Sequence, residues 1–363
     1  MAWDAIRISA HFKWTNRAQR ASSGERLQMK NALMIALAAS GAAAALLAPS
    51  TASACACGCG VFDVGESSLM PADAATPFTV WFRYNYMNQN QNWEGSSKAP
   101  AADNDDKRIL TSFYTVGGSY MINRDWTVMA ELPTYQRAFT TTDDDGTIVG
   151  PPGTIFTGHL FALGDLQLTG VYTGLAKDMS TGLSLGVKLP TGDYKGPSGP
   201  LGGLEFDRDS LPGTGSTDLM LGGYHTGMLN TAQTLGYFVQ ARYQFAVATR
   251  DSYRPGNEFD AAAGVSYNLG GIGPITKVAP VLQVINSMRD RDSGSEADPL
   301  NSGYERLLIA PGINARINQL NIFADVELPL YQHTNAASSV SIEGASGQLV
   351  ASALFKTQLS YSF

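Results

Sequence analysis

The chain has 363 residues, 25 Lys and Arg against 32 Asp and Glu, and a formal charge of −7. That balance excludes nucleic acid as a partner, because no basic stripe exists to neutralise phosphates. With only three cysteines, disulfides are not what holds the chain together.

Residues Ala32 to Ala48 carry no charge, follow Lys30 and run into the small-residue junction TASACA. A basic flank, an apolar core and a small-residue site predict a cleaved secretory signal peptide over residues 29–54. So much Ala and Gly makes a weak membrane anchor. Cleavage falls after Ala54 or after Ala56. Met29-Lys30 reads as the natural start, which leaves residues 1–28 as a mis-called start or an unusually long n-region outside the fold. Export without residues 1–54 leaves 19 basic and 30 acidic residues, a formal charge of −11.

Residues 55–77 are expected to form a short periplasmic segment or plug that begins CACGCG, with Cys55, Cys57 and Cys59 at alternate positions. Three readings compete. The first is an oxidised or otherwise structural plug, although a disulfide across one residue is strained. The second is a soft-metal site for copper or zinc, since thiolates suit Cu(I) and Zn(II) and a turn at Gly58 and Gly60 brings sulfurs together. The third is a lipid anchor at Cys55, against which Ala52 stands where a lipobox wants Leu.

From residue 78 onward the chain reads as a transmembrane antiparallel β-barrel. Phe363, Tyr361, Leu359, Thr357 and Phe355 alternate with Ser362, Ser360, Gln358 and Lys356. Period two over about fourteen residues predicts a strand far longer than the five or six usual in soluble proteins, and long enough to cross a membrane at a tilt. Twelve such segments are predicted: 78–88, 108–121, 126–137, 163–174, 179–190, 215–227, 233–247, 257–269, 276–287, 303–315, 318–331 and 349–363. Short connections near 122–125, 175–178, 228–232, 268–275 and 316–318 alternate with mostly longer ones at 89–107, 138–162, 191–214, 248–256, 288–302 and 332–348. That asymmetry predicts periplasmic turns, extracellular loops, both termini in the periplasm, lipid outside and a polar interior. An even strand number closes the sheet without an exposed edge. A secreted sandwich or propeller would have shorter strands and would not expose so much apolar surface to water.

The location expected is the outer membrane of a Gram-negative bacterium. Terminal Phe363, with Tyr361 and Leu359 before it, resembles the signal read by the outer-membrane assembly machinery. Outer-membrane lipids and lipopolysaccharide are expected partners, with the acidic runs Asp103–Asp106, Asp143–Asp145 and Arg289–Asp292 read as solvated loop tips or divalent-ion sites. None has the glycine-spaced EF-hand pattern.

Charged residues in the inward phase are the candidate pore lining: Arg83, Glu131, Asp165, Lys188, Arg242, Asp260, Arg306, Asp325, Glu327 and Lys356. Mixed signs suit either salt-bridge ladders that plug a narrow barrel or the walls of a wet path. Three strands carry Glu131–Tyr135, Lys188–Gly192 and Glu327–Tyr331, written ELPTY, KLPTG and ELPLY. Their prolines are expected to end regular pairing at the extracellular rim. After export only His159, His225 and His333 remain, and neither G-x-S-x-G nor H-E-x-x-H occurs. A catalytic assignment has no support in the sequence.

The stretches LGDLQLTGVYTG (163–174), LGVKLPTGDY (185–194) and LPGTGSTDLMLGGYHTG (211–227) resemble the outer-membrane transporter family named after the meta-pathway of phenol degradation. The resemblance rests on Gly164-Asp165-Leu166, on Lys188 to Gly192, and on Gly213, Gly215 and Asp218. It implies a channel-like barrel for aromatic or other small hydrophobic compounds, and supplies no catalytic or binding residues. The leading expectation is therefore a small-molecule channel or transporter. The alternatives are a barrel with a periplasmic cysteine metal site used in metal handling, and a sealed structural barrel.

Overall fold

The structure, a computed structural model, describes residue 65 and residues 77–143, 150–195, 208–297, 299–335 and 347–363. Alternating sequence becomes strand throughout: β1 (Phe78–Glu94), β2 (Ser97–Lys98), β3 (Arg108–Asn123), β4 (Trp126–Asp143), β5 (Thr154–Leu163), β6 (Leu166–Tyr172), β7 (Thr181–Leu189), β8 (Thr217–Met228), β9 (Leu235–Ala248), β10 (Glu258–Tyr267), β11 (Lys277–Arg289), β12 (Tyr304–Ile317), β13 (Leu320–Thr334) and β14 (Gln348–Ser362). Neighbours pair antiparallel in chain order, and β14 returns to β1 from Thr79↔Ser362 to Trp93↔Gln348. β2 is a two-residue return on the tip of β1, and β5 and β6 lie end to end along β4. The result is a closed barrel of twelve staves, one of them broken at Gly164–Asp165.

Side-chain phase follows the expected rule. Phe82, Val116, Leu185, Leu221, Leu282 and Phe355 point outward and are 42–61% exposed, a surface compatible with acyl chains and not with water. At the end with the chain terminus and the short turns, aromatic rings cluster. Phe78 and Phe363 lie 5.6 Å apart, Tyr361 and Phe363 4.8 Å, and Trp126 and Tyr172 4.9 Å. Amphipathic rings at this level form the girdle of a membrane barrel. The turns are closed locally: Asn123 Oδ1 accepts from the N–H groups of Asp125 and Trp126, and Asn318 takes the left-handed conformation that the β12–β13 hairpin needs.

Three expectations need correction. Residues 154–163 are a strand, not part of a loop, so β4 and β5 make a hairpin that rises beyond the rim formed by β6 and β7. The prolines do not share one role. Pro190 directly follows β7, but β4 runs on past Pro133 to Asp143 and β13 past Pro329 to Thr334. At Pro133 the partner changes on one edge, and near Pro329 one edge loses its partner while the other bulges. β4 pairs β6 up to Glu131↔Gln167 and β5 from Thr134↔Leu163, while β13 leaves β14 after Glu327↔Leu354 and bulges against β12. A missing N–H costs nothing where one ladder stops. Finally, the interior is not uniformly polar. Met87, Phe113, Phe238, Val281, Ile285, Leu308, Phe323 and Leu354 form one buried cluster inside the wall, because inward side chains fill most of a barrel of this size.

Gly65 is buried inside the barrel, where its N–H donates to Gln240 Oε1 at 3.0 Å. A Cβ there would lie 2.8 Å from Gln283 Oε1, and φ is +103°. Glycine is required at this seat on both counts. Cys55, Cys57, Cys59 and the signal-peptide region lie outside the described residues.

Candidate channel interior

Two cavities lie along the barrel axis. The larger, about 740 Å³, opens at the turn end between Asp178, Gln233, Lys277, Arg316, Asn318 and Ser362. Its walls carry Trp81, Met129, Val171, Met220, Tyr224 and Phe238 among many Ser, Thr, Asn and Gln side chains. At its mouth the hydroxyl and N–H of Ser180 hold the Asp178 carboxyl below the usual carboxylate range. The smaller, about 130 Å³, lies above it, between Phe113, Pro133, Tyr135, Leu211, Pro212 and Tyr253. Among the described residues its charged lining is balanced, with Arg137, Lys188, Arg242 and Arg289 against Glu131, Asp165, Asp218 and Glu258. Glu131, Gln167 and Arg242 line both cavities, which places the neck between them at that level.

The neck is built from β4, β6 and β9. Glu131 Oε1 accepts from Arg83 Nη2 at 2.8 Å and from Trp81 Nε1 at 3.2 Å. Both donors stand on β1, two strands away. They reach Glu131 because Gly117 of the intervening β3 has no side chain; a Cβ there would run into the Trp81 indole. Arg83 Nε also donates to Gln358 Oε1 at 2.8 Å. Across the neck, Arg242 Nη2 lies 3.1 Å from Asp260 Oδ2 and 3.9 Å from Glu258 Oε1, and Ser287 Oγ donates to Asp260 Oδ1 at 2.6 Å.

Above the neck, a buried network ties residues of the β7–β8 connection to the wall. Lys188 Nζ lies 3.2 Å from Asp165 Oδ2, 2.9 Å from Asp218 Oδ2 and 2.5 Å from Thr214 Oγ1. Asp165 accepts from the N–H of Gly192 and from the N–H and hydroxyl of Thr214, all at 3.0 Å. Asp218 accepts from Ser216 Oγ at 2.6 Å and Gln244 Nε2 at 2.7 Å. Residues 211–214 are thereby held over the upper cavity, with Leu211 packed against Ile109, Phe139, Leu160 and Leu349, and Arg137 donating to the Ser210 carbonyl. A second cap comes from the β9–β10 loop, where Tyr253 OH and Gly256 N donate at 2.6 and 2.7 Å to Asp292 of the β11–β12 connection, which also pairs Arg289 at 2.7 Å.

All ten sequence-selected charged residues face inward, but they divide into two groups. Arg83, Glu131, Asp165, Lys188 and Arg242 line the cavities. Asp260, Arg306, Asp325, Glu327 and Lys356 line neither and are packed within the wall. There Lys356 Nζ is 2.8 Å from Glu327 Oε1, Gln283 Nε2 donates to Asp325 Oδ2 at 2.6 Å, and the Arg306 guanidinium lies 4.4 Å from the Tyr304 ring centre. Arg137, Asp218, Glu258 and Arg289 also line the upper cavity and were missed. Arg137 and Glu258 share the inward phase of Glu131 and Asp260, so the phase was readable, while Arg289 stands beyond the expected end of its strand. The histidines do not converge. His225 bonds Thr181 and Tyr237 on the outer face, His333 bonds Ser96, and His159 is exposed on β5. Among the described residues no group of three or more His, Cys, Asp or Glu is placed to hold a metal ion.

No family model and no curated protein matches the chain. Among solved structures, the COG4313 outer membrane channel from Pseudomonas putida F1 aligns over 84% of this chain and all of its own, with a TM-score of 0.57 at 11% identity. The chain has the fold of an outer-membrane β-barrel. The β domain of the Bordetella autotransporter BrkA covers 79% of this chain and all of its own, at TM-score 0.44 and 13% identity. The P. putida toluene transporter TodX covers 79% of this chain and 90% of its own, at TM-score 0.41 and 9% identity.

Proposed function

We propose that this chain is an outer-membrane channel for small, uncharged molecules, aromatic or other hydrophobic compounds among them. The observation that carries the reading is the pair of adjacent cavities in the barrel interior that share Glu131, Gln167 and Arg242 in their linings. The upper cavity offers Phe113, Pro133, Tyr135, Leu211, Pro212 and Tyr253, surfaces suited to a flat apolar solute. Its charges are balanced, so a neutral solute forfeits no ionic partner by entering. The fold it shares with the COG4313 channel supports the same reading, as does the resemblance of its three glycine-containing motifs to the phenol meta-pathway family.

Purified barrel in liposomes tests it. Swelling in small uncharged solutes, or uptake of a labelled single-ring aromatic, is expected above protein-free vesicles. Folded protein that admits neither would leave the sealed structural barrel as the better account, for which the interior cluster around Ile285 and Phe323 is the supporting observation.

A further inference from the structure

We infer that Glu131, Gln167 and Arg242 form the selectivity neck of the channel, in which one carboxylate and one guanidinium, each paired along the wall, offset one another. The inference rests on the channel reading and assigns its discrimination to these residues. Among the described residues they alone line both cavities, so a solute moving between the cavities passes them. Exposure singles out the two charges further. The side chains of Glu131 and Arg242 are 15% and 14% exposed, while their partners Arg83 and Asp260 are 4% and 1% exposed. At the level the two cavities share, a passing ion meets one negative and one positive group; Asp260 is set back in the wall, Arg83 faces the lower cavity, and Glu258, 3.9 Å from Arg242 and 16% exposed, faces the upper one.

Charges arranged in this way favour neither sign strongly. A cation attracted by Glu131 is repelled by Arg242, and an anion meets the reverse. Removing one member unbalances the neck. A unit charge about 6 Å away across water changes the local concentration of a small ion by roughly threefold, and by more where the wall lowers the permittivity. The mouth behaves differently. Lys277 and Arg316 line the larger cavity away from the neck, where salt at 0.1 M screens over about 10 Å.

The test is the reversal potential of single channels in planar bilayers under a KCl gradient. Wild type is expected to discriminate weakly. Glu131→Gln should move the cation-to-anion permeability ratio toward anions by at least about threefold, and Arg242→Gln toward cations by a similar factor. Gln167→Lys and Gln167→Glu should reproduce the two shifts without breaking an ion pair, so they report even if the other variants assemble poorly. Lys277→Gln should move the ratio less than any of them. A conducting wild type whose neck variants all keep its reversal potential would overturn the inference and leave the channel reading standing. A wild type that passes neither ions nor uncharged solutes would overturn both.

Discussion

Replacing Lys188 by Met tests whether the network above the neck fastens the β7–β8 connection to the barrel. Lys188 is 7% exposed and lies between two carboxylates, Asp165 at 3.2 Å and Asp218 at 2.9 Å, which are themselves 5% and 2% exposed. Met has nearly the same length, so little volume changes. What changes is charge: two buried carboxylates lose their shared cation and face one another. Breaking a buried pair by removing one partner costs about 3–5 kcal/mol, mostly from the charge left uncompensated. Part of the harm is repulsion between the survivors, so Asp165→Asn on top of Lys188→Met should recover about 1 kcal/mol or more, a non-additivity that a double-mutant cycle measures. Urea unfolding of the barrel reconstituted in lipid vesicles, followed by tryptophan fluorescence, gives the midpoints. The same variant should release residues 211–214 from the upper cavity and raise single-channel conductance. Wild-type unfolding together with wild-type conductance in Lys188→Met would refute the reasoning.

Leu185→Arg, at the middle of β7 on the outer face, should cost about 2–4 kcal/mol in the same unfolding assay if that face meets lipid, and almost nothing if it met water. Gly117→Val should push the Trp81 ring off Glu131 and lower stability by about 1–3 kcal/mol or more, read as a lower temperature for loss of the compact band on unheated gels. Gly65→Val places a branched side chain against Gln283 at a φ of +103°; the seat should be lost and conductance should rise. Asp178 has its pKa lowered through Ser180, so its charge at the vestibule mouth should persist below the usual titration range. The stabilisation its hydrogen bonds provide is present above the unfolded pKa and is lost as pH falls through the folded one. Chemical-shift titration of the carboxyl would check this, and an ordinary midpoint would contradict it.

The barrel was legible because lipid and lumen impose opposite preferences on alternate residues. Each of the twelve staves contains an expected segment, although β1 and β4 run on past their expected ends, and inward charges such as Arg83, Glu131 and Lys188 were visible from phase alone. β5 escaped because the rule fails when both faces are apolar. In Thr154–Leu163, Ile155, Phe161 and Leu163 point outward while Leu160 and Ala162 pack on the interior cluster with Leu211. The interior apolar residues were obscured for a related reason. Phe238, Ile285 and Phe323 sit in the inward phase of β9, β11 and β13, where a polar residue was expected, and only packing across the lumen accounts for them. The neck needed distances that no spacing encodes, since Glu131 and Arg242 are brought to one level by the register of strands far apart in the chain.

The three glycine-containing motifs acquire a physical meaning at the broken stave. β6 and β7 are the short staves, with 7 and 9 residues against 12 to 18 in β4, β8, β9 and β12. Among the described residues β5 pairs only with β4. Backbone groups at this low rim lack ladder partners, and next to lipid each unsatisfied one is costly. The motifs supply substitutes. Gly164, Gly192 and Gly213 stack backbone on backbone: a Cβ on Gly192 would lie 2.6 Å from Gly164 C, and one on Gly213 would lie 2.6 Å from Gly192 C. The Asp165 carboxylate accepts from Gly192 N and Thr214 N, the Thr191 hydroxyl from Leu166 N, and the carbonyls of Leu163 and Asp193 from the N–H groups of Asp193 and Gly213. Side-chain oxygens and stacked peptides thus take over where strand pairing stops, and Lys188 neutralises the carboxylate that this arrangement buries. The same residues that close the wall hold Leu211 and Thr214 over the upper cavity. Sealing the rim and capping the passage are therefore one structural task, which is why a Gly-Asp-Leu, a Lys-x-Pro-Thr-Gly and a Gly-x-Gly-x-x-Asp occur together.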